Sequence, residues 1–281
     1  MIGAKQLPSR FLEVIEEQVA IYDDGTSITE ENSLPETGKI PLDNPNHWLK
    51  IPEVICVYVD MISSTKLSAS NYDNKTAGAY QLFTGVAIRL FHEFEAPYID
   101  VKGDGVFSLF NGDQAYRAIA AAVSFKTFSE EVFSKRILMD TDIEVGAHIG
   151  IDQKTVLVRK LGLRRYGDRT ERQNEVWAGK PVNMAAKLAS MSKAGELYVS
   201  ERYFKKIQDK HVTYSCGCNY EEDGRRVEGE NKYLWELKDD INEDGTFDFD
   251  KAYILKSKWC EVHGKEYCEA ILKLDNGTSK S

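Results

Sequence analysis

The chain has 281 residues, of which 42% are hydrophobic, and its formal net charge is −9. This composition allows one large domain, or one domain with extensions, around a sizeable core. The negative charge argues against a general nucleic-acid-binding protein, since such proteins present a basic face. No apolar run approaches the roughly 20 residues that a membrane-spanning helix needs. No charged-then-apolar signal segment opens the chain, so the sequence predicts a soluble, cytoplasmic protein with no membrane partner.

Five cysteines are present, and this odd number argues against a disulfide framework. Thiols and an imidazole, the ligands that zinc prefers, occur together in the C-terminal part of the chain, at Cys216, Cys218, Cys260, His263 and Cys268. Their spacing matches no standard pair of zinc ligands, and a C-x-C pair is a weak signal. The sequence therefore favours ordinary reduced cysteines over a zinc site.

The first part of the chain is predicted to form an N-terminal helix with an irregular lead-in, over residues 1–50. The regular pattern begins after it, with a β-rich run that ends on Asp60. In chain order, the predicted elements are a helix over 10–22, a strand over 52–60, a helical segment from 62 with Leu82, Val86, Leu90 and Phe94 at helical spacing, and a hairpin over 98–110.

The second part of the chain continues the alternation of strands and helices. Its predicted elements are a helix over 113–135 capped by Asp113, strands over 142–151 and 154–162 joined by Asp152 and Gln153, a charged loop over 166–176, a helix over 180–193, a strand over 195–200, a short helix over 201–208 and a strand over 231–237. Tight turns join several strands, which indicates an α+β fold with a mostly antiparallel sheet and flanking helices. The predicted domains are a central domain over 51–238 and a C-terminal extension over 239–281.

Two carboxylates stand at the tips of neighbouring predicted elements. Asp60 ends the first strand, and Asp104 lies in the Gly-Asp-Gly turn of the hairpin. If the two strands are neighbours, these hard oxygen ligands can bind Mg²⁺ or Mn²⁺ together with substrate phosphates. Backbone N–H groups at the start of the next helix, with Ser63, Ser64 and Thr65, would cradle phosphate. The alternative is that Asp60 only caps that helix and Asp104 is only a turn residue.

Five segments resemble the catalytic domain of class III nucleotide cyclases, in the same order and spacing. They are "VICVYVDMISST", "YIDVKGDGVFSLF", "VGAHIGIDQKTVLV", "VWAGKPVNMAAKLAS" and "GELYVS". The resemblance spans about residues 53–237. It implies a ferredoxin-like α+β domain that works as a head-to-tail homodimer, with active sites at the interface.

The resemblance also implies roles for individual residues. Asp60 and Asp104 would bind two divalent metal ions, Mn²⁺ or Mg²⁺, and the carbonyl of Met61 would be a further ligand. Asn183 matches the asparagine that orients the ribose. Lys187 stands where the family usually has an arginine that stabilises the transition state, so this chain keeps the charge but loses the planar pair of donors. The implied reaction is attack of the 3′-hydroxyl of a nucleoside triphosphate on its own α-phosphorus, with release of pyrophosphate.

The predicted base pocket differs from that of an adenylate cyclase. Asp100 stands where adenylate cyclases carry lysine and guanylate cyclases glutamate, and an ionised aspartate can only accept hydrogen bonds. Val176 replaces an aspartate or threonine and offers no side-chain hydrogen bond. Tyr58 shares a strand face with Asp60 and fills space in the pocket.

These differences make the chain similar to the pyrimidine cyclases of bacterial Pycsar anti-phage defence. That resemblance implies synthesis of cyclic UMP or cyclic CMP, and a product that acts on a separate cyclic-nucleotide-sensing effector. UTP is favoured over CTP, because uracil N3–H is a natural partner for an acid. The alternatives are an adenylate or guanylate cyclase with an altered pocket, or a catalytically dead cyclase-like module for nucleotide binding or dimerisation.

Overall fold

A computed structural model describes residues 6–42, 44–70, 73–162, 173–220, 226–243 and 245–275. These residues fall into two units of unequal size. The smaller is drawn from residues 1–52 and 156–178, and the larger from residues 53–155 and 179–281.

Among the described residues, five α-helices have 12 to 21 residues and four have 4 to 8, and the strands are mostly of four to seven residues. The helices are α1 (Ser9–Asp23), α2 (Ser64–Ser68), α3 (Asp73–Glu93), α4 (Ala115–Phe128), α5 (Ser134–Thr141), α6 (Lys180–Met191), α7 (Glu201–Phe204), α8 (Lys210–Thr213) and α9 (Gly264–Asp275). The strands are β1 (Ser27–Glu30), β2 (His47–Ile62), β3 (Tyr98–Lys102), β4 (Gly105–Phe110), β5 (Gly146–Gly162), β6 (Gln173–Gly179), β7 (Leu197–Ser200), β8 (Cys218–Tyr220), β9 (Arg226–Glu228), β10 (Trp235–Lys238) and β11 (Ala252–Leu255). A π-helical turn (Ser129–Phe133) joins α4 to α5.

The smaller unit contains α1, which confirms the N-terminal helix expected from the sequence. Its strand β1 pairs in parallel with the first four residues of β2. Strand β6 pairs with β5. The sequence predicts a charged loop where β6 begins. Gln173 to Val176 are strand residues, and the remainder of that loop lies outside the described residues.

The larger unit is built on a sheet with the strand order β10-β11-β7-β5-β2-β4-β3. Four of its pairings are antiparallel, namely β10 with β11, β11 with β7, β2 with β4 and β3 with β4. Strand β5 pairs in parallel with β7. The mostly antiparallel sheet with flanking helices confirms the α+β fold predicted from the sequence.

The main core of the larger unit lies on one face of this sheet. Alternate residues of β2 point into it, including the fully buried Val57 and Val59. From α3, the buried residues are Ala79, Phe83, Ala87 and Phe91. The residues that the sequence placed at helical spacing are only partly buried and pack at the edge of the core, namely Leu82, Val86, Leu90 and Phe94. Burial of these apolar strand and helix faces contributes to the stability of this unit.

Helix α6 packs on the opposite face of the sheet. A Cβ atom at Gly150 of β5 would lie 2.1 Å from the carbonyl oxygen of Ala185 and 2.4 Å from the nitrogen of Ala189. Only glycine allows the helix backbone to approach the strand so closely. Met184 and Leu188 of α6 pack there in a second apolar cluster. The prediction of a helix over 180–193 is therefore confirmed.

One long strand replaces the two strands predicted over 142–162. The sequence places Asp152 and Gln153 in a turn, but both lie inside β5, and Asp152 is fully buried. Arg202 of α7 holds the Asp152 carboxylate with two hydrogen bonds, one of 2.7 Å. The side-chain amide of Gln153 donates to the carbonyl of Glu53. The prediction was wrong because these distant partners satisfy polar groups that otherwise favour a turn.

The C-terminal segment forms part of the fold of the larger unit. Strand β11 lies between β10 and β7 in the sheet, and α9 packs on α4. Asp275 accepts hydrogen bonds from the backbone nitrogens of Tyr116 and Arg117 at the start of α4, at 2.9 and 2.8 Å. The predicted cap Asp113 was wrong, because the helix starts after Gln114 and a distant carboxylate satisfies its first donors. Among the described residues, no helix is both long and apolar enough to cross a membrane.

Candidate active site

Pairing of β2 with β4 brings together Asp60 and Asp104, the two predicted metal ligands. The register of these antiparallel strands sets Val59 opposite Val106, and its continuation by one residue brings Asp60 to Gly105. The β3–β4 hairpin turns through Gly103 and Asp104, and Gly103 has a φ of 68° that glycine adopts without strain. Asp104 thus directly precedes the residue that faces Asp60. The hairpin predicted from the sequence is confirmed.

Gly105 lies directly against two of the predicted site side chains, those of Tyr58 and Asp60. A Cβ atom at this position would lie 2.5 Å from the hydroxyl of Tyr58 and 2.9 Å from Oδ1 of Asp60. Such distances are shorter than van der Waals contact, so the side chains of Tyr58 and Asp60 occupy the space that any other residue would fill. The two side chains lie on the same face of the sheet, as strand alternation predicts.

The electrostatics of the two carboxylates favour a bound cation. Burial raises the pKa of Asp60, and the nearby Asp104 charge raises it further, while His148 and the backbone N–H of Met61 act in the opposite direction. Burial and the charges of Asp60 and Asp104 also raise the pKa of Tyr58. A divalent ion would relieve this concentration of negative charge, and two carboxylates are the hard oxygen donors that Mg²⁺ and Mn²⁺ accept. The residues present therefore fit the predicted metal ions.

His148 of β5 is a neighbour of this site that the sequence reasoning missed. Its Nδ1 lies 2.6 Å from the carbonyl oxygen of Ser192 just after α6, and a carbonyl can only accept, so this nitrogen carries a proton. The position of His148 two residues before Gly150, on the strand face that meets α6, is the only sequence signal that could have found it.

The predicted phosphate-binding segment follows β2 directly. Strand β2 continues to Ile62, Ser63 adopts a left-handed conformation with a φ of 65°, and α2 begins at Ser64. This helix has a single turn and contains Thr65. The segment stands next to the Asp60 carboxylate in the chain, and its role in holding phosphate stays a prediction.

Asp100, the predicted base-reading residue, shares the sheet face of Tyr58. Phe107 of β4 pairs with Tyr58 on one side and with Asp100 on the other, so the three side chains form a row across three strands. The Asp100 carboxylate accepts a hydrogen bond from the backbone nitrogen of Val101 at 2.8 Å, and it forms an ion pair with Lys102 at 2.7 Å. About a quarter of its side chain is exposed, so it is within reach of a ligand above the sheet.

The two predicted catalytic residues of α6 have different surroundings. Asn183 is exposed, whereas the ammonium group of Lys187 donates to the carbonyl of Thr246 at 2.5 Å and lies 5.8 Å from the Phe247 ring. Both partners belong to the segment 239–251 between β10 and β11, here termed the C-terminal loop. Within the described part of the chain, no hydrogen bond or ion pair joins Lys187 to the Asp60 and Asp104 carboxylates.

Cationic side chains also hold the C-terminal loop, through Asp248. Its carboxylate accepts hydrogen bonds from Arg202 at 3.0 Å, Lys154 at 2.6 Å and Lys180 at 2.9 Å. Arg202 bridges this carboxylate to the buried Asp152. This five-residue network joins β5, α6 and α7 to the loop, and no local pattern in the sequence indicates it.

Val176, the second predicted base-pocket position, lies in β6 in the smaller unit, and its side chain is half-buried. The two carboxylates, the predicted base-reading Asp100 and the predicted catalytic pair of α6 all belong to the larger unit. The assignment of Val176 to the base pocket stays a prediction.

Solved structures of nucleotide cyclases share this fold. The crystal structure of the adenylyl cyclase CyaB from P. aeruginosa aligns with a TM-score of 0.55 at 14% identity, over 75% of this chain and 96% of that chain. The guanylate cyclase domain from Catenaria anguillulae, solved in complex with GTP, aligns with a TM-score of 0.55 at 15% identity, over 74% and 98% of the two chains. At these identities the likeness concerns the fold. No family model matches the chain.

Curated relatives are similar at the level of sequence. The uridylate cyclase of Propioniciclava tarda is 36% identical over 239 residues, which cover 83% of this chain and 73% of the relative. That of Micromonospora echinofusca is 32% identical over 264 residues, covering 89% of this chain and 82% of the relative. With this fold and these relatives, the chain belongs to the class III nucleotide cyclase family, and within it to the group that contains the uridylate cyclases.

Proposed function

We propose that this chain is a pyrimidine nucleotide cyclase that converts UTP into 3′,5′-cyclic UMP and pyrophosphate. The observation that carries the proposal is the convergence of Tyr58 and Asp60 over Gly105, directly beside Asp104. The base-reading acid Asp100 stands on the same sheet face. The curated relatives named uridylate cyclases support the choice of a pyrimidine substrate.

In this proposal, Asp60, Asp104 and the carbonyl of Met61 hold two divalent ions, Mn²⁺ or Mg²⁺. Bound ions of this kind neutralise phosphate charge and activate an attacking hydroxyl. The 3′-oxygen forms a bond to the α-phosphorus, the bond from that phosphorus to the β-phosphate oxygen breaks, and the hydroxyl proton passes to water. Backbone N–H groups near Ser63 and Ser64 orient the departing phosphates.

A second copy of the chain completes the site in this proposal, as a head-to-tail homodimer. That copy contributes Asn183 to the ribose and the Lys187 ammonium to the charge that develops on the α-phosphoryl group. Support comes from Lys187, which the C-terminal loop holds through Thr246 rather than directing it at the carboxylates of its own chain. Positioning of the ammonium by the Thr246 carbonyl would reduce the entropy lost at the transition state.

Selection of uracil rests on the row of Tyr58, Phe107 and Asp100. An ionised Asp100 accepts a hydrogen bond from uracil N3–H, whereas N3 of cytosine is an acceptor and would face it unfavourably. Tyr58 narrows the pocket and brings a hydroxyl that can also hydrogen-bond. CTP is therefore the second substrate to test.

We further propose that the product is a second messenger in anti-phage defence in the cytoplasm, where it acts on a separate effector that senses cyclic nucleotides. Support for this comes from the likeness to pyrimidine cyclases of such systems. Phage infection of bacteria that express the chain should raise cyclic UMP, and an Asp104→Asn variant should not. Equal cyclic UMP in infected and uninfected cells would contradict this role.

Incubation of the purified chain with each of the four nucleoside triphosphates and Mn²⁺ tests the enzymatic proposal. Mass spectrometry of the products should identify cyclic UMP from UTP at the highest rate. Cyclic AMP or cyclic GMP as the main product would make the chain a purine cyclase with an altered pocket. No product from any substrate, from a folded dimer that binds nucleotide, would make it a non-catalytic module.

A further inference from the structure

Four potential metal ligands that are distant in sequence meet at one point of the larger unit. Cys216 lies between α8 and β8 and Cys218 is the first residue of β8, while Cys260 and His263 lie just before α9. One ligand atom from each residue lies within 4.8 Å of all the others. We propose that Cys216, Cys218, Cys260 and His263 bind a structural zinc ion.

The spacing of the ligand atoms suits a tetrahedral zinc ion. With Zn–S bonds of about 2.3 Å and Zn–N bonds of about 2.0 Å, a tetrahedral site places its ligand atoms roughly 3.5 to 3.8 Å apart. In this chain Sγ of Cys218 lies 3.2 Å from Nδ1 of His263. Side-chain adjustments of about 1 Å or less bring the remaining atoms to these distances. Three thiolates and one imidazole form a closed site without an open position for substrate.

The local backbone directs the sulfur atoms toward this point. Gly217, between two of the cysteines, has a φ of 82°, and a Cβ atom there would lie 2.5 Å from the carbonyl oxygen of Gly229. Only glycine allows this tight C-x-C turn. In the second turn, the backbone N–H of Gly264 donates to the carbonyl of Cys260 at 2.7 Å, which closes the turn that carries both Cys260 and His263.

The site borders a cavity of ≈ 350 Å³, lined in part by Ile119, Val123 and Leu255 together with the three cysteines. Apolar walls limit the access of water to the sulfur atoms and favour the bound ion. All five cysteines of the chain are free thiols in this structure. Their spacing alone favours reduced thiols without a metal, because no sequence pattern reveals that the C-x-C and C-x-x-H turns are adjacent in space.

Zinc at this position would fasten the β8–β9 ribbon to the start of α9. Helix α9 packs on α4, and its last residue, Asp275, caps the first turn of α4. With the ion bound, α9 would be held at both ends, at its start by the metal ligands and at its end by the Asp275 cap on α4. Because the unfolded chain has no such site, metal binding adds directly to the stability of this part of the larger unit.

The zinc content of the purified chain tests this proposal. We expect about one zinc ion per chain, measured by elemental analysis after loading with zinc and removal of the excess. A Cys216→Ser/Cys260→Ser double variant should retain almost none. Cys268→Ser is the matched control, since Cys268 is a half-buried thiol of α9 outside the cluster, and it should keep the full content. An Asp60→Asn/Asp104→Asn variant should keep it as well, which separates this ion from those of the active site.

Cobalt substitution tests the geometry of the site in the wild-type chain, so this test does not depend on the folding of any variant. Co²⁺ added to the metal-free wild-type chain should give the intense visible bands of a tetrahedral ion and a thiolate charge-transfer band. Chelation of zinc should lower the Tm of the wild type and of Cys268→Ser. A zinc content in the wild type no higher than in the double variant, or cobalt bands typical of six oxygen ligands, would overturn the proposal.

Discussion

Oδ1 of Asp60 lies 2.9 Å from the position that a Cβ atom of residue 105 would occupy, so Asp60 and Gly105 fit together only because residue 105 has no side chain. The Tyr58 hydroxyl closes the same space from the other side, at 2.5 Å. The Gly-Asp-Gly turn therefore does more than reverse the chain. Gly103 provides the turn, Asp104 provides the second carboxylate, and Gly105 makes room for the first.

We expect Gly105→Ala to lower kcat/KM about tenfold to a hundredfold, because the added methyl group must displace Tyr58 and Asp60. Steady-state cyclase assays with Mn²⁺ measure this effect. Gly78→Ala is the matched control, since Gly78 lies in helix α3 with open space around its Cβ position. That variant should keep its activity and gain about 1 kcal/mol of stability. Equal activity in both variants would contradict the packing described at Gly105.

The two halves of the proposed site can be separated by mutation. Asp104→Ala removes a metal ligand and Lys187→Ala removes the transition-state cation, so each homodimer should lose about a hundredfold or more in kcat. Mixing the two inactive proteins should restore activity, because a mixed head-to-tail dimer contains one intact site. Two Asp104→Ala preparations mixed together serve as the control. Absence of rescue after proven subunit exchange would contradict a site shared between subunits.

Asp100 should determine the choice of pyrimidine. In Asp100→Asn, the amide can donate to N3 of cytosine, and the charged acceptor for uracil N3–H is lost. We expect kcat/KM for UTP to fall about tenfold to a hundredfold relative to CTP. The matched control is Lys102→Ala, which removes the ion-pair partner of Asp100 and keeps the carboxylate. An unchanged UTP-to-CTP ratio in Asp100→Asn would show that another residue reads the base.

The C-terminal loop should lose stability in acid. Partial burial by itself raises the pKa of Asp248, but hydrogen bonds from Arg202, Lys154 and Lys180 outweigh it and hold the pKa well below its ordinary value. A carboxylate with a lowered folded-state pKa stabilises the fold fully above its unfolded value of about 3.9, and this contribution is lost as the pH falls below that value.

Thermal unfolding against pH measures this contribution. The Tm of Asp248→Asn should lie below that of the wild type at about pH 6, and the gap should narrow progressively as the pH falls below about 4. Asp250→Asn, two residues away on the same loop, should follow the wild-type curve throughout. A gap for Asp248→Asn that stays constant with pH would show that its carboxylate charge contributes nothing.

Local patterns in the sequence predicted the elements that carry the site. The hairpin around Asp104, the strand that ends near Asp60 and the helix of Asn183 and Lys187 each follow from apolar periodicity and turn residues. The hairpin and the strand meet because β4 pairs antiparallel with both β3 and β2, and only the β3–β4 pairing follows from a short connection. The fold class was predictable for the same reason.

Features that depend on distant partners were not predictable in this way. Asp152 resembles a turn residue until Arg202, 50 positions later, neutralises it inside β5. Similarly, Lys187 resembles a free cation on a helix, and its partner Thr246 lies in an acidic segment that reads as a linker. Long-range pairs of this kind leave no periodic trace, since each partner satisfies the other only after folding.

Competition among substrates tests the central claim most directly. The wild-type chain is given equimolar UTP, CTP, ATP and GTP with Mn²⁺, and mass spectrometry quantifies the cyclic products, with an Asp60→Asn/Asp104→Asn variant as the background control. The account predicts cyclic UMP as the main product from the wild type and none above background from the variant. Cyclic AMP or cyclic GMP as the main product, or equal products from both proteins, would contradict it.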